Sequence, residues 1–163
     1  MEFASAKHRE VYQRVKVYLA ELFDDKLYHE EETGHFYVRY GSTVLEISVE
    51  PYGADDADDA IMIAMSYCVQ GVEVDEELLR GLLELNHTLP FGSFSLVGDD
   101  IFFSHSLLGQ TLERSNVLAT IAAVANVSDE YDDRIVERFG GQRALDRIRD
   151  TGGLKRRRES IGR

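Results

Sequence analysis

The spacing of apolar residues changes period four times along the chain, and that order of periods leaves few folds open. Over Ser5–Phe23, Val11, Val15, Tyr18 and Leu22 recur every three or four residues, with Tyr12, Leu19 and Phe23 beside them and Arg14, Lys16 and Glu21 between. That is one apolar stripe on an amphipathic helix. After the Glu30–Glu32 run the period drops to two. His35–Tyr40 sets Phe36, Val38 and Tyr40 against His35, Tyr37 and Arg39, and Thr43–Glu50 sets Leu45, Ile47 and Val49 against Glu46, Ser48 and Glu50. With Gly41-Ser42 between them, the two runs predict a hairpin with one wet face. Ala60–Val69 is apolar on both alternations, as expected of a strand covered on both faces or carrying a contact surface.

The period then returns to a helical one. Asp75 can cap a helix whose Leu78, Leu79, Leu82, Leu83 and Leu85 form a strong apolar face, and Pro90 stops it. Gly81 in its middle costs about 1 kcal/mol relative to alanine, a cost often tied to the close approach of another backbone. Phe91–Val97 and Ile101–Leu107, joined by Gly98-Asp99-Asp100, predict a second hairpin. Val117, Ile121, Val124, Ser128, Tyr131, Ile135 and Phe139 then step by three and four along one long helix over Glu113–Phe139, ended by Gly140-Gly141. Gln142–Asp150 is expected to add a short helix with Leu145 and Ile148 inward. The order α-β-β-β-α-β-β-α predicts one α+β domain over residues 1–150, an antiparallel sheet with the helices packed on it.

Charge divides the chain in two. Its 163 residues carry 30 acidic and 18 basic side chains, for a net charge of −12. Gly152–Arg163 holds five of the basic residues and one acidic residue, so the rest stands at 13 against 29, or −16. Nucleic acid is excluded as a general partner of so acidic a domain. Residues 151–163, with Lys155–Arg158, read as a basic, disordered tail, solvated in preference to binding a membrane or nucleic acid. No run reaches the ~18 apolar residues of a membrane span. Met1–Glu10 is charged where a signal peptide is apolar, and one cysteine, Cys68, fits a reducing compartment, so the cytoplasm is the expected location.

The stretches Leu85–Leu96 (LNHTLPFGSFSL), Gly98–Gly109 (GDDIFFSHSLLG) and Ala122–Gly141 (AAVANVSDEYDDRIVERFGG) together resemble the YbjN family of bacterial proteins, related in fold to type III secretion chaperones. The likeness covers about residues 5–141. It rests on Asn86, Pro90-Phe91-Gly92 and His105-Ser106-Leu107-Leu108, which are packing and turn residues. The resemblance implies a homodimer without enzymatic activity or cofactor, acting in stress regulation or in chaperone-like binding of protein segments. In the secretion chaperones the second helix and following strand build the dimer. Carried over, that implies an interface of Leu78, Leu82, Leu85, Leu89, Phe91, Phe94 and Leu96, which a charge at Leu82 or Phe94 would separate.

Chemistry-bearing motifs are sparse. An EF-hand loop starting at Asp55 would need glycine and glutamate where Ala60 and Ser66 stand, so Asp55–Asp59 reads as a solvated acidic loop. His29, His35, His87, His105 and Cys68 lack zinc spacing, although His35 and His105 could meet across the sheet. Gly92-Ser93-Phe94-Ser95 is no nucleophile elbow, Cys68 is expected to be inert packing, and no phosphate loop occurs. Catalytic, metal and cofactor sites are therefore expected to be absent. The reading is a homodimeric binding or chaperone-like regulator with an apolar surface and an acidic rim. The alternative is a ligand- or metal-responsive sensor using the acidic loop or the histidines.

Overall fold

The computed structural model describes residues 2–40, 43–53, 59–144 and 146. Helix α1 (Ala6–Phe23) begins where the Ser5 hydroxyl accepts the His8 N–H at 3.0 Å, which satisfies one of the orphan donors of a first turn. Strands β1 (Leu27–Glu30), β2 (His35–Tyr40), β3 (Thr43–Tyr52) and β4 (Asp59–Gln70) follow. After helix α2 (Glu76–Thr88) come β5 (Ser93–Val97) and β6 (Asp100–Leu108), then helix α3 (Arg114–Phe139) and the two-residue β7 (Gln142–Arg143). The expected α+β order is present, with β1 and β7 added to it.

The sheet order is β1-β2-β3-β4-β6-β5, and every pairing is antiparallel. Strand β7 pairs with β4 at Val69 and Gln70, on the side that β3 has left. Strand β1 is held by pairs running from Leu27↔Val38 to Glu30↔His35, and the Gly34 N–H donates to the Glu30 carbonyl at 2.8 Å. Gln142 and Arg143, expected to open a helix, form β7 instead. Leu145, Ile148, Gly41-Ser42, Asp55–Asp58 and the tail over 151–163 lie outside the described residues.

One face of the sheet is covered by α1 and α3. Between them lie Phe36, Leu45, Ile47, Met62, Ile101 and Phe103 from the strands, Val15 and Leu19 from α1, and Val117, Ile121 and Val124 from α3, all fully buried. These are the residues at the expected apolar positions, so the core follows directly from the two periodicities. Strand β4 carries a bulge: Tyr67 pairs with Phe102 and Val69 with Ile101, which leaves Cys68 as the extra residue. A bulge breaks the alternation locally, and residues 66–70 are accordingly buried without interruption. Among the described residues, no helix is long and apolar enough to cross a membrane.

Candidate functional site

Helix α2 is attached to the rest of the fold more narrowly than α1 or α3. Its start is capped by Asp75, whose carboxylate accepts the Leu78 N–H at 2.8 Å, and Glu76 and Glu77 suit the positive helix end. Only Leu78 and Leu82 of its thirteen residues are buried. At its far end the Asn86 side chain acts as a strap to β5. Its Nδ2 donates to the Phe94 carbonyl at 3.0 Å, and its Oδ1 accepts the Phe94 N–H at 2.6 Å. One amide thus satisfies both backbone groups of one residue of an edge strand, as a neighbouring strand would.

This geometry sorts the seven expected interface residues. Leu78, Leu82 and Phe94 are buried within the protomer, Phe94 against Phe103 and Tyr131 with ring centroids at 4.8 and 5.7 Å. Leu85, Leu89 and Leu96 are half-buried and pack against the same core, while Phe91 is exposed. A charge at Leu82 or Phe94 would therefore strike the protomer's own core before any second copy. The apolar residues that α2 turns outward are Leu79 and Leu83, and Leu83 is 70 % exposed. Their four-residue spacing is a second, shorter stripe on the helix.

Leu79 and Leu83 lie in a shallow groove with Glu76, Arg80, Glu84 and His87. A second groove runs between α2 and α3, past Gly81, Leu85, Tyr131 and Arg134. The rim is mixed in sign, not acidic as expected, because Arg80 pairs with Glu76 at 3.0 Å, Arg138 with Glu77, and Arg134 with Glu130 at 3.8 Å. A Cβ built on Gly81 meets nothing within 4 Å, so among the described residues no backbone outside its own helix approaches there.

The helix-free face of the sheet offers a second surface. Ile61, Ile63 and Met65 of β4 and Phe102 of β6 are half-buried on it, and Leu108 is exposed. Glu46 of β3 is buried in this face, where its carboxylate receives the Tyr67 hydroxyl at 2.9 Å and lies 2.6 Å from His35 Nδ1. The face that alternation predicts to be wet is thus apolar along β4, with a bonded carboxylate beside it.

The histidines are dispersed. His8 Nε2 lies 3.0 Å from the Val49 carbonyl, and His29 Nε2 lies 2.7 Å from the Tyr12 hydroxyl. Desolvation, then nearby Lys16, lowers the pKa of His29, and desolvation lowers that of His105. Strand alternation puts His35 on the helix-free face and His105, beside Phe91, on the other, so the two do not meet across the sheet. Among the described residues no group of three His, Cys, Asp or Glu side chains could hold a metal ion. Burial pushes the Cys68 thiol up to about 12, and the nearby Asp132 charge adds to this, so the group stays protonated at neutral pH.

No curated protein matches the chain. A family model does: that of the T3SS (YopN, CesT) and YbjN peptide-binding chaperone 1, TY-Chap1, matches residues 9–147. The matched span runs from α1 past β7 and includes both the strap between α2 and β5 and the whole described sheet. The chain therefore belongs to the TY-Chap1 family of peptide-binding, chaperone-like proteins.

Proposed function

We propose that the chain works as a non-enzymatic homodimer in the cytoplasm, holding a segment of another protein in the service of stress or sensory regulation. The observation that carries this reading is α2. It buries Leu78 and Leu82 inward and still presents Leu79 and Leu83 to solvent. Among the described residues, this helix, apolar on two sides, has a partner for only one of them. The natural occupant of the outer side is α2 of a second copy, because a two-fold interface brings one patch against itself. The apolar strip on β4, on the other face of the sheet, is then left for the client segment. Residues 1–150 are the working domain in this proposal, and 151–163 are a tail outside it.

Size-exclusion chromatography with light scattering tests the assembly. The expected mass is twice the 18.5 kDa of the chain, both for the full chain and after deletion of residues 151–163. A monomer at micromolar concentration would remove the dimer from the proposal.

A further inference from the structure

Beneath the C-terminal half of α3 there is a cavity of about 240 Å3, lined among the described residues by Ser66, Tyr67 and Cys68 of β4, Ser128 and Asp132 of α3, Thr43 and Val44 of β3, and Arg143, Ala144 and Asp146. Two of its polar groups are anomalous. Ser66 and Ser128 are essentially fully buried, and among the described residues neither hydroxyl oxygen has a hydrogen-bond partner of ordinary geometry. Buried hydroxyls are ordinarily bonded, because leaving one unmade forfeits its hydration without return. The Cys68 thiol points to the Ser128 carbonyl at 3.7 Å, and its sulfur, which lies beside the Ser128 side chain, offers that hydroxyl only a weak acceptor. Ser128 and Asp132 are four residues apart on α3 and so share a helix face. Asp132 Oδ1 accepts the Asp133 N–H at 2.6 Å, so Oδ2 is the oxygen a ligand would use.

The charges around the cavity have one dominant sign. Asp129, Asp132, Asp133 and Asp146 stand against Arg143, which is engaged by Asp133 at 3.2 Å and by Asp146 at 2.8 Å. Burial, then Asp133 and Asp129, raises the Asp132 carboxyl to about 6, against the lowering by Arg143 and the Asp133 N–H. A bound cation would relieve that penalty. Three acceptors, two hydroxyl oxygens and one carboxylate oxygen, match the three donors of an ammonium group, which has no acceptor to satisfy. The volume fits a side chain better than a drug-sized ligand.

We propose that this cavity binds a primary alkylammonium group, carried on a lysine side chain of the client segment, through Ser66, Ser128 and Asp132. This rests on the peptide-holding reading above, and the test separates the two. The probe is n-butylammonium added to the full chain, with n-butanol as the neutral control. Butylammonium is expected to raise the melting temperature and to perturb the backbone amides of residues 66, 128 and 132, and butanol to do neither. Asp132→Asn should weaken binding roughly tenfold or more, since it removes a charge-assisted bond. Ser66→Ala and Ser128→Ala should act with opposite signs. Each should raise the melting temperature of the free protein by about 2–4 °C, by removing an unpaired hydroxyl, while reducing the response to butylammonium. A purely structural serine would not couple those changes.

Affinity should rise as pH climbs through about 6, because Asp132 ionises there while butylammonium stays charged. The other titratable and charged groups around it are Asp129, Asp133, Asp146, Arg143, Tyr67 and Cys68. The source of the amine is settled by two peptides alike except that one carries lysine and the other Nε-acetyl-lysine. Displacement of butylammonium by the first alone is the expected result. Equal binding of both peptides would overturn the lysine pocket and leave peptide binding intact. If neither binds while butylammonium does, the client's lysine is excluded as the source. An equal response to butanol, an unchanged Asp132→Asn variant, or no response at tens of millimolar amine would overturn the site itself.

Discussion

Leu82→Glu should leave no folded protein, while the same change one residue along, Leu83→Glu, should leave a folded chain of half the native mass. The contrast follows from helix geometry. Leu82 is 6 % exposed and belongs to the core. Removing a buried leucine costs about 2–5 kcal/mol, and a carboxylate left without a partner in its place costs several more. The sum reaches about 5 kcal/mol or more, comparable with the whole stability of a domain of this size. Leu83 points the other way, so within the protomer a charge there should change stability by no more than about 0.5 kcal/mol. In a two-fold interface the charge enters twice, and about 3 kcal/mol lost from association weakens the dimer more than a hundredfold. Circular dichroism melts and light scattering of the two variants read both halves of this expectation. A Leu83→Glu protein that stays dimeric would move the interface off α2, with the β4 strip of Ile63 and Met65 as the next surface to test.

Gly92→Ala is the second large effect, a loss of about 2–5 kcal/mol. Gly92 has φ +76°, and an alanine in that left-handed region costs about 1–2 kcal/mol. Its Cβ would also stand 2.6 Å from Cζ of Phe103 and 2.9 Å from the Ser104 carbonyl oxygen. Phe103 is fully buried and the carbonyl belongs to the sheet, so neither can withdraw. Overpacking of this kind costs about 1–3 kcal/mol. The melting temperature should fall by roughly 5–15 °C. Gly98→Ala separates the two causes. Gly98 has φ +64°, and a Cβ there meets nothing within 4 Å, so this variant should carry the conformational cost alone. Equal melting temperatures for the two variants would show that the clash with Phe103 is relieved.

The long elements were legible because their period reports burial directly. Val117 through Phe139 step by three and four, and α3 occupies Arg114–Phe139. Strands β2 to β6 likewise begin and end within two residues of the expected limits. Strand β1 was not legible, because four residues, Leu27–Glu30, show no period. They are a strand because Val38 and His35 lie opposite their ends, which is a fact about β2. Strand β7 has the same origin in its pairing with β4.

On α2 the five leucines announced an amphipathic helix but not its rotation about its own axis. That rotation decides whether Leu82 or Leu83 faces solvent, and Asn86 bonded to Phe94 pins it at one end. The interface that the family resemblance implied includes Leu78, Leu82 and Phe94, and all three are buried in the protomer's own core. The cavity was further from reach. Ser66 and Ser128 are 62 residues apart in the chain, and an unpaired hydroxyl leaves no mark on a sequence.

The Asn86 strap has a consequence for how such a protein could change the mate proposed for it. The residues that fasten α2 are Asn86, Leu78 and Leu82, and the residues it displays are Leu79, Leu83, Glu84 and His87. Side chains that share no partner contribute nearly independently. The displayed row can therefore be rewritten, in size, charge or polarity, with little penalty to the joint beneath it. If α2 of a second copy docks there as proposed, recognition on this helix is modular: a new specificity takes a few surface substitutions and leaves the frame that carries them as it was.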